Sequence, residues 1–433
     1  MTKVAVIGAG YVGSTSAACF AHLGHEVVCA DLDERRVEAL NRGESPILEA
    51  QLPELIREGV DAGRLRFVVG AANAVRDAEV VLLCVDTPQS ESGEADLSHV
   101  EAAVREFAPE LKRGAIVVNK STMPVGSTAK VKEWLQEAGV ADGGVRVAVN
   151  PEFLQEGTAV REFLNPARIV LGVEDEETAV RLSLLYQKLQ ARIIVTDPPS
   201  AEMIKYASNA YLATRISFIN SIANLCEAVG ADVTDVTLGM GYDPRIGFSG
   251  LRPGPGYGGS CLPKDTAALL ATARRAGYDF EHLQATVAVN RAQPDRVVEK
   301  VRKAVGGDLA GRLVGVLGLT FKAGTDDVRE SPAMEIARRL AAEGAVIRAY
   351  DPAANRSAVA AMAPEVTLLD DPYEALTGAD VLAVLTEWDE FRWLDYARVR
   401  ELMSGCAVVD ARNALDRETL GIRGFEYQGV GCH

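Results

Sequence analysis

The feature that most constrains this chain is its first thirty residues. The apolar run Val4-Ala5-Val6-Ile7 leads into Gly8-Ala9-Gly10-Tyr11-Val12-Gly13, a helical stretch follows from about Ser14 to Leu23, and a second apolar run, Glu26 to Ala30, ends at Asp31. Three glycines at this spacing allow a tight turn, close approach of backbone to a pyrophosphate, and close packing of helix on strand. An acidic residue about twenty positions past the turn can meet ribose hydroxyls and repels a 2′-phosphate. The segment therefore predicts a dinucleotide fold, with Gly8, Gly10, Tyr11, Val12, Gly13 and Asp31 at an NAD site and NAD preferred over NADP.

Further strands are expected at Val80 to Val85, Ala115 to Asn119 and Val145 to Val149, each followed by polar or turn-forming residues: Asp86-Thr87-Pro88, Lys120-Ser121-Thr122-Met123-Pro124 and Asn150-Pro151-Glu152. In an open α/β sheet such strand ends face the ligand crevice. From about Pro199 long helices take over, including Ala201 to Val229, and the stretch Gly239 to Gly259 is too glycine-rich for an ordinary helix or central strand. A second α/β unit begins near Leu313, with strands at Leu313 to Leu319, Val346 to Tyr350, Val381 to Leu385 and Ala407 to Val409. The expected fold is α/β: two Rossmann-like domains, residues 1–198 and 301–433, joined by a central helical domain, residues 199–300, that contains a long helix suited to dimerisation.

The chain has 433 residues, too many for one ordinary core. A net charge of −16 disfavours nucleic acid or an acidic membrane surface as partner. No apolar run approaches the roughly 20 residues needed to cross a bilayer. Seven cysteines without a CxxC pair argue against a zinc or thioredoxin-type site; no metal ligand set is expected, and a reducing cytoplasm is the expected location.

One of those cysteines stands apart. Cys261 closes Gly258-Gly259-Ser260-Cys261 and precedes Leu262-Pro263-Lys264-Asp265. If it lies at a helix start, which Pro263 favours, exposed N–H groups would stabilise its thiolate. Three pairs at i,i+4 spacing, Glu152 with Glu156, Lys205 with Asn209 and Cys261 with Asp265, would each share a helical face. Each taken alone is equally what a solvated polar pair looks like. Together they suit covalent oxidation of an aldehyde: a thiolate adds, a thioester forms as hydride leaves for NAD, and water hydrolyses it. Lys205 and Asn209 would stabilise the oxyanion, while Glu156, Asp265 and Thr122 would order water or relay protons. A two-electron alcohol dehydrogenase with a structural Cys261, or an NAD-responsive binding protein, are the other readings these residues leave open.

The same motifs, with Asn150 to Gly157, Lys205-Tyr206-Ala207-Ser208-Asn209, Gly256 to Asp265, Phe321-Lys322, Asp326 to Ser331 and Asp410-Ala411-Arg412-Asn413, resemble the UDP-glucose/GDP-mannose dehydrogenase family along nearly the whole chain. The resemblance implies a four-electron oxidation of the sugar C6 of a nucleotide sugar by two NAD molecules. It implies that Cys261 is the nucleophile, Lys205 and Asn209 the oxyanion stabilisers, Asp265 and Thr122 the water partners, Glu156 an acid–base group and Glu152 an organiser of sugar and water. For NAD it adds Asp86, Thr87, Pro88, Thr122 and Glu156. For the substrate it implies Glu152, Phe153, Leu154, Lys205, Asn209, Tyr257, Gly258, Cys261, Phe321, Lys322 and Arg412, with Arg245 reaching a neighbouring subunit's substrate in a homodimer. Thr386-Glu387-Trp388 followed by Phe391 resembles the UDP-glucose branch; GDP-mannose and UDP-N-acetylhexosamine share the same chemical core. Two departures stand out: Asp86 replaces a common family glycine in Val85-Asp86-Thr87-Pro88, and Phe248 to Pro253 is looser than the family's phenylalanine-leucine run.

Overall fold

The structure, a computed structural model, describes residues 1–90 and 93–432. Its contacts divide the chain into two compact units: Met1–Ser208 with Ala267–Tyr278, and Asn209–Thr266 with the chain from Asp279 onward. Two Rossmann-like sheets belong to them, one to each.

The first unit holds an eight-stranded sheet. Its strands are β1 (Lys3–Ile7), β2 (Glu26–Asp31), β3 (Leu65–Val69), β4 (Val80–Leu83), β5 (Ile116–Asn119), β6 (Arg146–Val149), β7 (Ile169–Gly172) and β8 (Ile193–Thr196), in the order β3-β2-β1-β4-β5-β6-β7-β8. All neighbours run parallel except β6 with β7. Strands β4, β5 and β7 are buried at every position, as expected of parallel strands covered on both faces. One apolar cluster includes Phe20, Leu40, Ile56 and Leu171, a second Val81, Phe107 and Val117, and a small third one Val149, Val170 and Ala201. The chain crosses over between β1 and β4, so loops after these strands diverge and open a crevice at their C-terminal ends.

The second unit holds β9 (Leu313–Leu317), β10 (Val346–Tyr350), β11 (Val366–Leu369), β12 (Val381–Val384), β13 (Ala407–Asp410) and β14 (Glu426–Gly429), ordered β11-β10-β9-β12-β13-β14 and parallel throughout. Much of the segment expected to form a separate central domain packs within this unit. Lys300 pairs with Glu227 at 2.7 Å, and the amide of Gly431, close to the chain's end, donates to the same carboxylate at 2.6 Å.

The long helix is Pro198–Val229, 32 residues or about 48 Å. Strands β3, β7, β8, β11 and β14 are not among those expected from the sequence, although Ile169-Val170-Leu171 of β7 and Ile193-Ile194-Val195 of β8 are short runs rich in β-branched residues. β14, Glu-Tyr-Gln-Gly, is polar, and β8 is an edge strand with Ile194 and Val195 exposed.

Candidate active site

In the first unit, the turn after β1 has the shape that its glycines predict. Gly8 sits at φ 98°, its amide donates to the Ala30 carbonyl at 2.8 Å, and a Cβ there would press on the Cys84 carbonyl. A Cβ at Gly13 would overlap the Gly8 carbonyl, so the helix Tyr11–His22 packs this close only with glycine. Gly10 faces open space. Asp31 lies at the end of β2 with its Oδ2 accepting from Ala9 N at 2.8 Å and its Oδ1 from Asp33 N at 3.0 Å. Arg36, which sequence reasoning did not single out, reaches Oδ2 at 3.1 Å. An open glycine turn at a helix N-terminus, with a carboxylate at the neighbouring strand end, fits a dinucleotide.

Tyr11 has a further role. Its hydroxyl bonds Glu49 and accepts the Gly157 amide at 2.6 Å, tying the glycine turn to the loop of Glu152 and Glu156. Burial and the Glu49 bond push its phenol far up, with Glu156 contributing charge, so it stays neutral. Glu49 is buried and 38 residues away from Tyr11, which is why no local pattern announces it. Asp86 and Pro88 are exposed, whereas Thr87 is buried and donates to the Thr122 carbonyl at 2.8 Å, pinning one strand-end loop to the next.

Glu152 and Glu156 do not share a helical face, contrary to expectation. Residues 150–155 form an irregular loop and 156–158 a turn, with Gly157 at φ 82°. The Glu152 carboxylate folds back to accept Leu154 N at 2.6 Å and pairs with Lys205 at 2.6 Å, both side chains being almost fully buried. Burial raises the Glu152 carboxyl, but the Lys205 charge and bond, the Leu154 amide and Lys120 together hold it below the usual range. Removing either partner of such a pair would cost about 3–5 kcal/mol by stranding a buried charge. The Lys205 ammonium also lies 5.6 Å from the Phe153 ring centre, and Arg168 stacks on that ring at 3.7 Å. A cavity of about 270 Å³ opens here, lined by Lys120, Asn150, Glu152, Phe153, Arg168 and Tyr186 among others. Lys120 is buried and bonds Asn150 Oδ1 at 3.1 Å; burial pulls its ammonium downward. Leu154 and Glu156 are partly buried in the same loop.

In the second unit, Cys261 immediately precedes the helix Leu262–Arg275, and its carbonyl accepts Asp265 N at 3.0 Å. It is partly exposed, with Ser260 Oγ at 3.7 Å from its sulfur. The expectation of a helix start is met, and Pro263 occupies the first turn. Asp265 is buried: Asn209 Nδ2 donates to one oxygen and Lys264 Nζ to the other, both at 2.6 Å. Asn209 sits one turn beyond Lys205 on the long helix.

The approach to Cys261 is held from several sides. Tyr257 exchanges two hydrogen bonds with Asn290, at 2.8 and 3.0 Å, and Gly254 bridges Asn220 and Gln293. A Cβ at Gly258 would overlap the Glu330 carbonyl, and one at Gly259, φ 80°, would meet the Phe321 ring. Arg412 donates to the carbonyls of Phe321 (2.6 Å) and Leu385 (3.1 Å), so much of its guanidinium fixes the Phe321-Lys322 loop. The Lys322 ammonium lies 5.7 Å from the Phe321 ring centre. Arg245 stands apart, with its side chain 87% exposed and clamped to Asp243 at 2.6 Å.

Comparison with known proteins gives one consistent picture. Three domain models of the UDP-glucose/GDP-mannose dehydrogenase family match in order: the NAD-binding domain over residues 2–190, the central domain over 199–292 and the UDP-binding domain over 315–417. The chain is 42% identical over 431 residues to UDP-glucose 6-dehydrogenase TuaD of Bacillus subtilis, covering 100% of this chain and 93% of that one. It is 44% identical over 435 residues to a UDP-glucose 6-dehydrogenase of Rhizobium meliloti, covering 99% of each. Among solved structures, a UDP-glucose dehydrogenase from Pyrobaculum islandicum superposes with a TM-score of 0.92 at 38% identity, covering 100% of this chain and 98% of that one.

Proposed function

The chain belongs to the UDP-glucose/GDP-mannose dehydrogenase family, and from that premise we propose that it is an NAD-dependent UDP-glucose 6-dehydrogenase that works through Cys261. The observation that carries the mechanism is the setting of this cysteine: partly exposed at a helix start, one turn before a buried Asp265 already gripped by Asn209 and Lys264. A buried carboxylate with two donors is an oriented acceptor for a proton from water.

The overall change converts the C6 alcohol, with one water and two NAD⁺, into carboxylate, two NADH and three protons. Gly8 to Gly13, Asp31 and Arg36 would hold NAD, which would supply the hydride acceptor for each two-electron step. The protein's own groups do the rest. The Cys261 thiolate adds to the C6 aldehyde carbon and forms a C–S bond; loss of hydride from that carbon leaves a thioester, and attack by water expels the thiolate again. Asn209 and Lys205 offer donors to the oxyanion, Glu152 holding the Lys205 ammonium in place. Asp265, Thr122 and Glu156 order water and accept protons.

A division of labour follows: residues 1–198 hold NAD, 199–300 carry the nucleophile loop and the self-association face, and 301–433 hold the nucleotide sugar through Phe321, Lys322 and Arg412. The long helix exposes Tyr211, Phe218 and Leu225 at 63%, 51% and 57%, a seven-residue repeat suited to a second copy of the chain. The exposed Arg245 is available to such a partner's substrate. Among the described residues no helix is long and apolar enough to cross a membrane, and the cysteine usage suits a reducing cytoplasm.

The test is the stoichiometry of NADH against nucleotide sugar over UDP-glucose, GDP-mannose and UDP-N-acetylhexosamines. About two NADH per UDP-glucose, with the other sugars at least tenfold slower, is expected. No turnover of any of them would sink the assignment. Cys261→Ser should lose carboxylate formation by roughly a thousandfold; normal carboxylate at a normal rate would instead favour a two-electron dehydrogenase with a structural cysteine.

A further inference from the structure

Glu202, one turn before Lys205 on the long helix, is a buried carboxylate outside every role assigned so far. Its two oxygens reach across to the start of the helix Ser127–Glu137, whose N-cap is Gly126 at φ 95°. Oε2 accepts Gly126 N at 2.7 Å; Oε1 accepts Thr128 N at 2.9 Å and the Thr128 hydroxyl at 2.7 Å. The two amides are among the orphan N–H groups that a helix start leaves unsatisfied, and a carboxylate there also meets the positive end of the helix dipole. Burial pushes the Glu202 carboxyl upward against the pull of these three donors, so keeping it here has a cost.

Stability alone could be met more cheaply, because Ser, Thr, Asp or Asn at the N-cap would satisfy the same donors locally. Instead the cap comes from 74 residues away, on the element that carries Lys205. What it secures is the end of the loop 120–126. Thr87 pins that loop at the Thr122 carbonyl, and Ser127 Oγ ties its far end to the Pro124 carbonyl at 2.6 Å. With Glu202 as the third anchor, Thr122 is held at a set place relative to Lys205 within the first unit.

We propose that Glu202 is a positioning residue for the oxidation, a clamp that registers the Thr122 loop against the Lys205 turn of the long helix. This rests on the reading of Thr122 as a partner of the catalytic water. The backbone of Thr122 moves if the clamp is lost, and a displacement of about 1 Å at such a group costs up to a hundredfold in rate.

The experiment is a double-mutant cycle on the full-length enzyme with Glu202→Gln and Thr122→Ala, read as kcat and as KM for NAD and UDP-glucose, with melting temperature alongside. Gln keeps the shape but turns an N–H₂ toward donors. The expected result is a kcat fall of about tenfold with each KM within about twofold, and no further fall when Glu202→Gln is added to Thr122→Ala. Should Glu202→Gln fail to fold, Thr128→Val removes one of the three bonds and should lower kcat about threefold with the same loss of additivity. Equal losses on both backgrounds, or an effect confined to melting temperature, overturn the role of Glu202 and leave Thr122 standing. Wild-type turnover in Thr122→Ala alone overturns the reading of Thr122, and the clamp's purpose with it.

Discussion

The two sheets share one strand order through six strands, and in each a glycine with positive φ directly follows the first strand: Gly8 at 98° and Gly318 at 93°. In each the amide of that glycine donates to the residue closing the second strand's apolar run, Ala30 or Tyr350, and an aspartate follows at once, Asp31 or Asp351. What comes next differs. After Gly8 the helix begins at Tyr11 and Asp31 takes one bond from the turn, Ala9 N. After Gly318 the chain runs on to Ser331 before a helix forms, and Asp351 accepts from Leu319 N, Thr320 N, the Thr320 hydroxyl, Trp388 Nε1, Ala353 N and Ala354 N. The same device serves in one sheet as an open ligand turn and in the other as a sealed brace for the loop carrying Phe321 and Lys322.

The largest expected effects come from adding a methyl group to each turn. Gly13→Ala would force the helix Tyr11–His22 off the Gly8 carbonyl, and KM for NAD should rise by about a hundredfold or more while calorimetry still detects UDP-glucose binding. Gly318→Ala must bear both a left-handed φ and a clash with Thr386, so UDP-glucose binding should fall with NAD binding intact. Loss of the same ligand by both variants would break the contrast.

The aspartates sharpen it. Asp31→Asn should raise KM for NAD about tenfold and narrow the preference over NADP, with melting temperature little changed. Asp351→Asn turns a donor toward several donors and should destabilise its unit by about 2 kcal/mol, read by urea unfolding, with KM for NAD unaltered. If Asp351→Asn left stability untouched, the brace would be no brace.

The first of these turns and the start of the Cys261 helix were legible in the sequence because their physics is local. Gly8, Gly10 and Gly13 state the φ and packing they need, Asp31 follows at a fixed spacing, and Pro263 marks the helix start that presents Cys261. The i,i+4 rule held for Lys205 with Asn209, where a helix exists. It failed for Glu152 and Glu156, where Gly157 and the pull of Lys205 draw the chain into a loop. Contacts between segments far apart in sequence left no trace: Glu202 with Thr128, Glu49 with Tyr11, and Asn209 with Asp265 across 56 residues. Each is a polar residue in an apolar setting whose partner only the fold supplies. The Asp351 brace was hidden for a related reason, since its aspartate follows β10 as Asp31 closes β2 but its donors come from three separate loops.

The smallest effect is a difference in response to acid. In the first unit burial lowers His25, whose Nε2 lies 3.1 Å from the Leu185 carbonyl. The folded state favours neutral imidazole, so stability falls as pH drops through the unfolded value of about 6.5. Glu152, held below its usual range, adds stability above about pH 4.3 that is lost as pH falls through its lower folded value. In the second unit burial raises Asp410 despite bonds from Leu415 N, Arg412 N and Tyr427. Its contribution runs the other way, fully present below about pH 3.9 and lost as pH rises through the raised folded value. Between pH 7 and 5, hydrogen-exchange protection in β1 and β4 to β6, corrected for intrinsic rates, should therefore fall about threefold more than in β9, β12 and β13. His25→Gln should remove most of that gap; an equal fall in both sheets with His25 in place would show that the two units answer acid alike.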